Sequence, residues 1–158
     1  MELVKYPIQL IENSIEEIRL LSSKSVTPLR NINLEKLVEV LVDNLNKTTA
    51  INTLFVYAVN THLLADELKL NIYRIIQEQL NNIIKHAAPE NVSIHIEDTD
   101  SHIIIDVKDD GKGFDLAKDR KGIGISNMIN RIESFNGKME IDTSIGNGCR
   151  VRVTMPVI

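Results

Sequence analysis

Apolar residues recur every three or four positions in four stretches of this chain and every second position in five others. The order reads helix, helix, strand, helix, strand, strand, helix, strand, strand. Ile8, Ile11, Ile15, Ile18 and Leu21 predict an amphipathic helix over Pro7 to Ser23. Leu37, Val38, Leu41, Val42 and Leu45 predict a second over Leu34 to Lys47, with Asn33 as its cap and Lys36 where a capping box would need Glu. Ser22 to Asn33 between them reads as a linker. Phe55, Val56, Tyr57 and Val59 mark a strand over Asn52 to Asn60, and Thr61 to Glu67 is expected to turn the chain into a third helix, Asn71 to Ala88, which Pro89 stops. Val92 to Glu97 and His102 to Lys108 form a hairpin across Asp98 to Ser101. A helix over Ser126 to Phe135 is expected to end at Gly137, and strands over Lys138 to Thr143 and Arg150 to Val157 close the chain.

Hairpin-linked strands in one layer and helices in the other make a two-layer α/β sandwich, with a mixed, mostly antiparallel sheet of about five strands and three helices on one face. The N-terminal helix stands outside it. Residues 1–30 are expected to be a helix end with its linker, and 31–158 the folded domain.

The third helix is the centre of the chain. At about 100° per residue, Glu78, Asn82, Lys85 and His86 share a side with Arg74, and Ile72, Ile76, Leu80, Ile83, Ile84 and Ala87 share the other. A carboxylate and a carboxamide four residues apart reach the same small object, and a lysine one turn on reaches its negative end. A metal-bound polyphosphate has that description. Alone, such a set is more often the solvated face of an amphipathic helix. Its company changes the odds: Asp109-Asp110-Gly111-Lys112-Gly113 follows a strand, Gly122-Ile123-Gly124-Ile125 opens a helix, and Gly146-Asn147-Gly148 precedes the last strand.

Other readings of these glycines fail. No G-x-x-x-x-G-K-[ST] exists, and neither Gly111-x-Gly113 nor Gly122-x-Gly124 completes G-x-G-x-x-G. A calcium loop would need alternating acidic residues, which Lys108 and Gly111 interrupt. Backbone amides at the start of the Gly122-Ile123-Gly124 helix suit phosphate oxygens. Phe114 to Lys121, short and charged, has the composition of a lid.

Taken together, RIIQEQLNNIIKHA, DDGKGF, KGIGISNM and GNGCRVRVTMP resemble, in order, the N box, two glycine boxes and closing glycine segment of sensor histidine-kinase catalytic domains. These belong to the gyrase, heat-shock-90, histidine-kinase and mismatch-repair ATPase superfamily. The form Q-E-x-L-x-N-x-x-K-H-A is most similar to the nitrate-sensor branch, and the resemblance spans roughly residues 30 to 158. It implies the Bergerat-type ATP-binding fold, ATP and Mg²⁺ as cofactors, and a protein-histidine kinase activity. It also implies that Asn82 ligates Mg²⁺, that Lys85 pairs with phosphate with His86 nearby, and that Asp109 accepts from the adenine amino group. Gly111, Gly113, Gly122, Gly124 and Ile125 shape the nucleotide loops, and Glu78 acts as base or as its positioner. Cys149 stands where the family usually has threonine, which puts a hydroxyl contact there in doubt.

The implied partners are a dimerisation hairpin bearing the acceptor histidine and a response regulator. EEIRLLS followed by TPLR is similar to the end of that hairpin. His62, His86, His95 and His102 do not sit where the acceptor would, so this chain is expected not to phosphorylate itself and to be mostly monomeric, within a homodimeric parent. An anti-sigma-type serine kinase of the same superfamily and a non-catalytic nucleotide-sensing module are the alternatives.

Composition narrows the field further. With 43% apolar residues and no tryptophan, 158 residues suffice for one aliphatic core. A net charge of −4 argues against nonspecific nucleic-acid binding. The lone Cys149 forms no internal disulfide and reads as a small strand residue of a reducing compartment. Without an apolar run of membrane-spanning length or a signal peptide, a cytoplasmic domain with no membrane contact of its own is expected, from a parent that is free or membrane-anchored.

Overall fold

The computed structural model describes residues 31–60, 64–116 and 123–157. The expected helix over Pro7 to Ser23, most of its linker, His62, Gly122 and most of the expected lid lie outside them. Asn33–Ile158 is the compact unit described below.

The elements are α1 (Leu34–Thr48), β1 (Asn52–Ala58), α2 (Asp66–Asn82, running on as a wide π turn, Ile83–Ala87), β2 (Asn91–Asp98), β3 (His102–Asp109), α3 (Ile123–Glu133), β4 (Lys138–Thr143) and β5 (Cys149–Pro156). The five strands form one sheet in the order β1-β2-β3-β5-β4. Only β1 and β2 run parallel, and they can because α2 supplies the crossover that parallel neighbours need. All other pairs are antiparallel.

Strict alternation sets the inner face. Val92, Ile94 and Ile96, then Ile103, Ile105 and Val107, then Val151, Val153 and Met155 point under the helices and are buried. The helices answer with Leu34, Val38, Val42 and Leu45 from α1, Ile72, Ile75, Ile76 and Leu80 from α2, and Met128 and Ile132 from α3. Each such side chain taken from water contributes about 1.5–3 kcal/mol before entropy is counted. On the other face Asp106, Arg150 and Arg152 alternate outward, and Arg150 Nη2 donates to Asp106 Oδ2 at 2.6 Å.

Four expectations change. The central helix begins at Asp66, not Asn71, because Asp66 and Glu67 suit a positive helix start and Leu68 already packs inward. Ile84, expected on the packed side, is 41% exposed; of the adjacent pair, Ile83 takes the core position as the helix widens. The helix over Ser126 to Phe135 starts at Ile123 and stops at Glu133. Its left-handed terminating residue is Asn136, φ 55°, not Gly137. Gly137 N–H donates back to Ile132 O, and Gly137 is glycine because a Cβ would run into Met155 and Ile132. The Asn33 cap holds: its Oδ1 accepts from Lys36 N at 3.0 Å.

Candidate functional site

Asp109 continues the inward series Ile103, Ile105, Val107, so alternation buries a carboxylate at the end of β3, where it is 1% exposed. Its register partner on β5 is Cys149. Oδ1 accepts from Gly111 N at 2.9 Å, and the Cys149 backbone N–H also hydrogen-bonds the carboxyl. Burial nevertheless pushes its pKa above the ordinary 3.8, with the Asp110 charge adding to the rise and the two N–H groups opposing it.

Asp110, one residue on, points outward. Its carboxylate accepts from Glu90 N at 2.8 Å, Asn91 N at 2.9 Å and Asn91 Nδ2 at 2.7 Å. Those bonds, the Asn91 backbone N–H first, hold its pKa below the ordinary value. They also tie the glycine turn to the chain leaving α2. Ala88, left-handed at φ 48°, makes that exit possible just ahead of Pro89. Lys112 N donates to Ala87 O at 2.9 Å, and a Cβ on Gly111 would collide with the same carbonyl.

The closing glycine turn is pressed onto the first. Gly113 and Gly148 take φ of 59° and 69°. A Cβ on Gly113 would strike Ser144 O, and one on Gly148 would strike Asp109 O. Gly146 N donates to Lys112 O at 2.7 Å. Thr143 Oγ1 accepts from Phe114 N at 3.2 Å and donates to Gly148 O at 2.8 Å.

The start of α3 meets α2. A Cβ on Gly124 would collide with Glu78 Oε1 and stand 3.3 Å from Asn82 Oδ1. A helix side and three turns distant in sequence thus enclose one cavity of about 860 Å³, within the range of small-molecule sites. Its lining includes Glu78, Asn82, Lys85, His86, Asp109, Gly113, Gly124, Ile125 and Cys149. Gly111 does not line it but braces Ala87, which does; Gly122 lies outside the described residues. Arg74 does not line it either, and its buried Nε has no hydrogen-bond partner among the described residues.

Sequence reasoning missed Gln79, Lys112, Phe114, Met128, Ile141 and Val151 as lining residues. Alternation along β5 already pointed Val151 inward beside Cys149. Gln79 had a signal too, lying three and four residues before Asn82 and Ile83 on one helix stripe. The Cys149 thiol is pushed up to about 11, first by burial and then by the Asp109 charge, so it stays protonated at neutral pH.

The donor set suits a hard cation shared with a ligand. Glu78 and Asn82 present carboxylate and carboxamide oxygens around one glycine. Among the described residues no cluster of three or more His, Cys, Asp or Glu side chains forms a complete metal cage. Mg²⁺ is commonly held in that way, by one or two protein oxygens with phosphates and water completing its shell. No helix among the described residues is long and apolar enough to cross a membrane.

Comparison with known proteins gives a consistent picture. The family described as histidine kinase-, DNA gyrase B-, and HSP90-like ATPase matches residues 66–158. The signal transduction histidine-protein kinase/phosphatase DegS of Bacillus subtilis (strain 168) is 34% identical over 98 residues, 60% of this chain and 26% of DegS. The sensor histidine kinase ComP of the same organism is 35% identical over 88 residues, 54% of this chain and 11% of ComP. The chain therefore spans about a quarter of one relative and a tenth of the other. Among solved structures, the blue-light activated histidine kinase of Erythrobacter litoralis EL346 superposes with a TM-score of 0.65 at 18% identity, over 78% of this chain and 40% of that one. The mycobacterial sensor histidine kinase MprB gives 0.58 at 14% identity, over 79% and 95%. At such identities the structures speak for the fold.

Proposed function

Because this chain belongs to the histidine kinase-, DNA gyrase B-, and HSP90-like ATPase family, we propose that its cavity binds Mg-ATP and serves transfer of the γ-phosphoryl group to a histidine on a dimerisation hairpin. A response regulator then receives the signal. The observation that carries this reading is the convergence of Gly111, Gly113, Gly124 and Gly148, each kept bare by a neighbouring backbone or catalytic side chain, around buried Asp109 and the Glu78–Asn82 pair.

In this reading the base enters the closed end, where Asp109 accepts from the exocyclic amino group. Gly111, Gly113, Gly122, Gly124 and Ile125 shape the loops around the nucleotide, and Cys149 lines the base pocket as a protonated thiol. Asn82, with Glu78 near it, would hold Mg²⁺, which when bound neutralises charge building up on the transferring phosphoryl group. Lys85, with His86 beside it, faces the phosphates at the mouth. Glu78 orients the acceptor imidazole or takes its proton. The whole-protein activity, the homodimeric parent and its cytoplasmic setting are part of the same proposal, with residues 1–30 as the end of the hairpin and its linker.

Two measurements test it. Labelled ATP supplied with a separate dimerisation hairpin should pass phosphate to a histidine; tight ATP binding without any transfer would instead favour the nucleotide sensor. Asn82→Ala should abolish the Mg²⁺ dependence of binding, and Asp109→Ala should weaken ATP by about 10- to 100-fold and erase its preference over GTP. If both variants bind like the parent, the site assignment is wrong.

A further inference from the structure

The closed end of the cavity is apolar but for two side chains. Ile83, Met128, Cys149 and Val151 line it at 8% exposure or less; so do Asp109 at 1% and Gln79 at 5%. Asp109 already receives the Gly111 and Cys149 N–H groups. Gln79 makes no side-chain hydrogen bond among the described residues, and it belongs to the cavity wall. The buried polar atoms without a partner among the described residues are Thr53 Oγ1, Tyr57 OH and Arg74 Nε, so the Gln79 carboxamide is open to the cavity and keeps its donors and acceptor for whatever enters, where leucine would offer none. The chain keeps glutamine there.

Depth decides what Gln79 can serve. Lys85 and His86 are exposed at the mouth and Asn82 is half-buried, whereas Gln79 sits one turn back on the stripe of Asn82 and Ile83, at the level of the buried wall. The phosphate end is thus provided for by other groups, and Gln79 faces the part of a ligand that goes deepest.

Resting on the nucleotide reading above, we propose that Gln79 is a second base-reading residue: its carboxamide pairs, directly or through one water, with the ring nitrogen next to the amino group that Asp109 receives. The two side chains are complementary. A carboxylate only accepts, so it reads the 6-amino donor and nothing beside it. Both adenine edges that carry that amino group place a ring-nitrogen acceptor beside it, and a carboxamide N–H₂ is the donor such an acceptor needs. A 6-oxo purine presents an acceptor to Asp109 and is repelled. Gln79 thereby adds affinity for the base that the carboxylate selects.

The test compares the parent with Gln79→Leu by calorimetric titration of ATP, 1-deaza-ATP and 7-deaza-ATP, alongside thermal melts without nucleotide. The variant should melt close to the parent's temperature, since the Gln79 side chain makes no hydrogen bond that leucine would lose, and bind ATP about three- to tenfold more weakly. The parent should penalise one of the two deaza analogues by a similar factor, and the variant should not. Equal ATP affinity in parent and variant overturns the proposal, as does an unchanged penalty pattern. A melt that falls together with affinity overturns it too, because Gln79 is then a packing element. A parent that does not bind ATP at all overturns the nucleotide reading itself; a parent that binds, with a variant that matches it, overturns only the role of Gln79.

Discussion

The two ends of the cavity are built on opposite physical terms. At the closed end Ile83, Asp109, Met128, Cys149 and Val151 are all buried; the register of β3 with β5 sets the places of Asp109, Cys149 and Val151, and the helices bring Ile83 and Met128 over them. At the mouth Lys85, His86, Lys112 and Ile145 are exposed and held mainly by their backbone. The closed end is therefore fixed by packing, and the mouth offers charge in water, where an ion pair contributes roughly 0–1 kcal/mol. A change to the apolar or backbone framework of the closed end should alter stability and binding together, and one at the mouth should alter binding alone.

The strongest challenge to that contrast is Gly148→Ala. Its Cβ would meet the Asp109 carbonyl at a φ of 69°, so the β3 end and the closing turn must separate. The expected cost is about 2–4 kcal/mol of folding free energy in urea titration, with ATP binding lost in parallel. An unchanged urea midpoint would show that the turn is not part of the core.

A subtler test is pH. Burial raises the Asp109 pKa in the fold above the ordinary 3.8, so the folded state holds that proton more tightly than the unfolded chain. As pH rises through the window between 3.8 and the raised value, the Asp109 contribution to stability of the free domain falls. Over the same window ATP affinity should rise, because only the ionised carboxylate is a full acceptor. Asp110, whose pKa is lowered, works the other way on stability, which is lost as pH falls through its own depressed value. Comparing Asp109→Asn with the parent separates the two: the variant should lose the opposed trends, and if its affinity profile matches the parent's, Asp109 is not the group being read.

The smallest effect belongs to the mouth. Lys85→Ala should weaken ATP about two- to fivefold at low salt, shrink toward no effect at high salt, and leave the melting temperature unchanged. A salt-independent loss would place Lys85 with the core end.

Much of this molecule was legible in order of residues. Lys138–Thr143 matches its expected strand to the residue, and the other strands shift by at most two, because a sheet with one buried face writes its period directly into the chain. Asp109 could be told from Asp110 by the same alternation, since Ile103, Ile105 and Val107 precede it on the buried face. The helix ends were less legible. Ile84 and Ile83 are both good core residues, and only packing against the sheet chose between them as the helix widened. Gln79 was hidden for a related reason: glutamine on a helix reads as surface until the partner layer is known.

What the sequence determined alone was the set of elements, the order of the glycine turns and the chemical groups available, since each depends on neighbours a few residues away. Tertiary structure decided which turns touch. Asp109 meets Cys149 across a strand register, Gly124 meets Glu78 across two helices, and Ala87 meets Gly111 across a loop. Those meetings depend on how separate layers close over a shared core, which no local periodicity specifies.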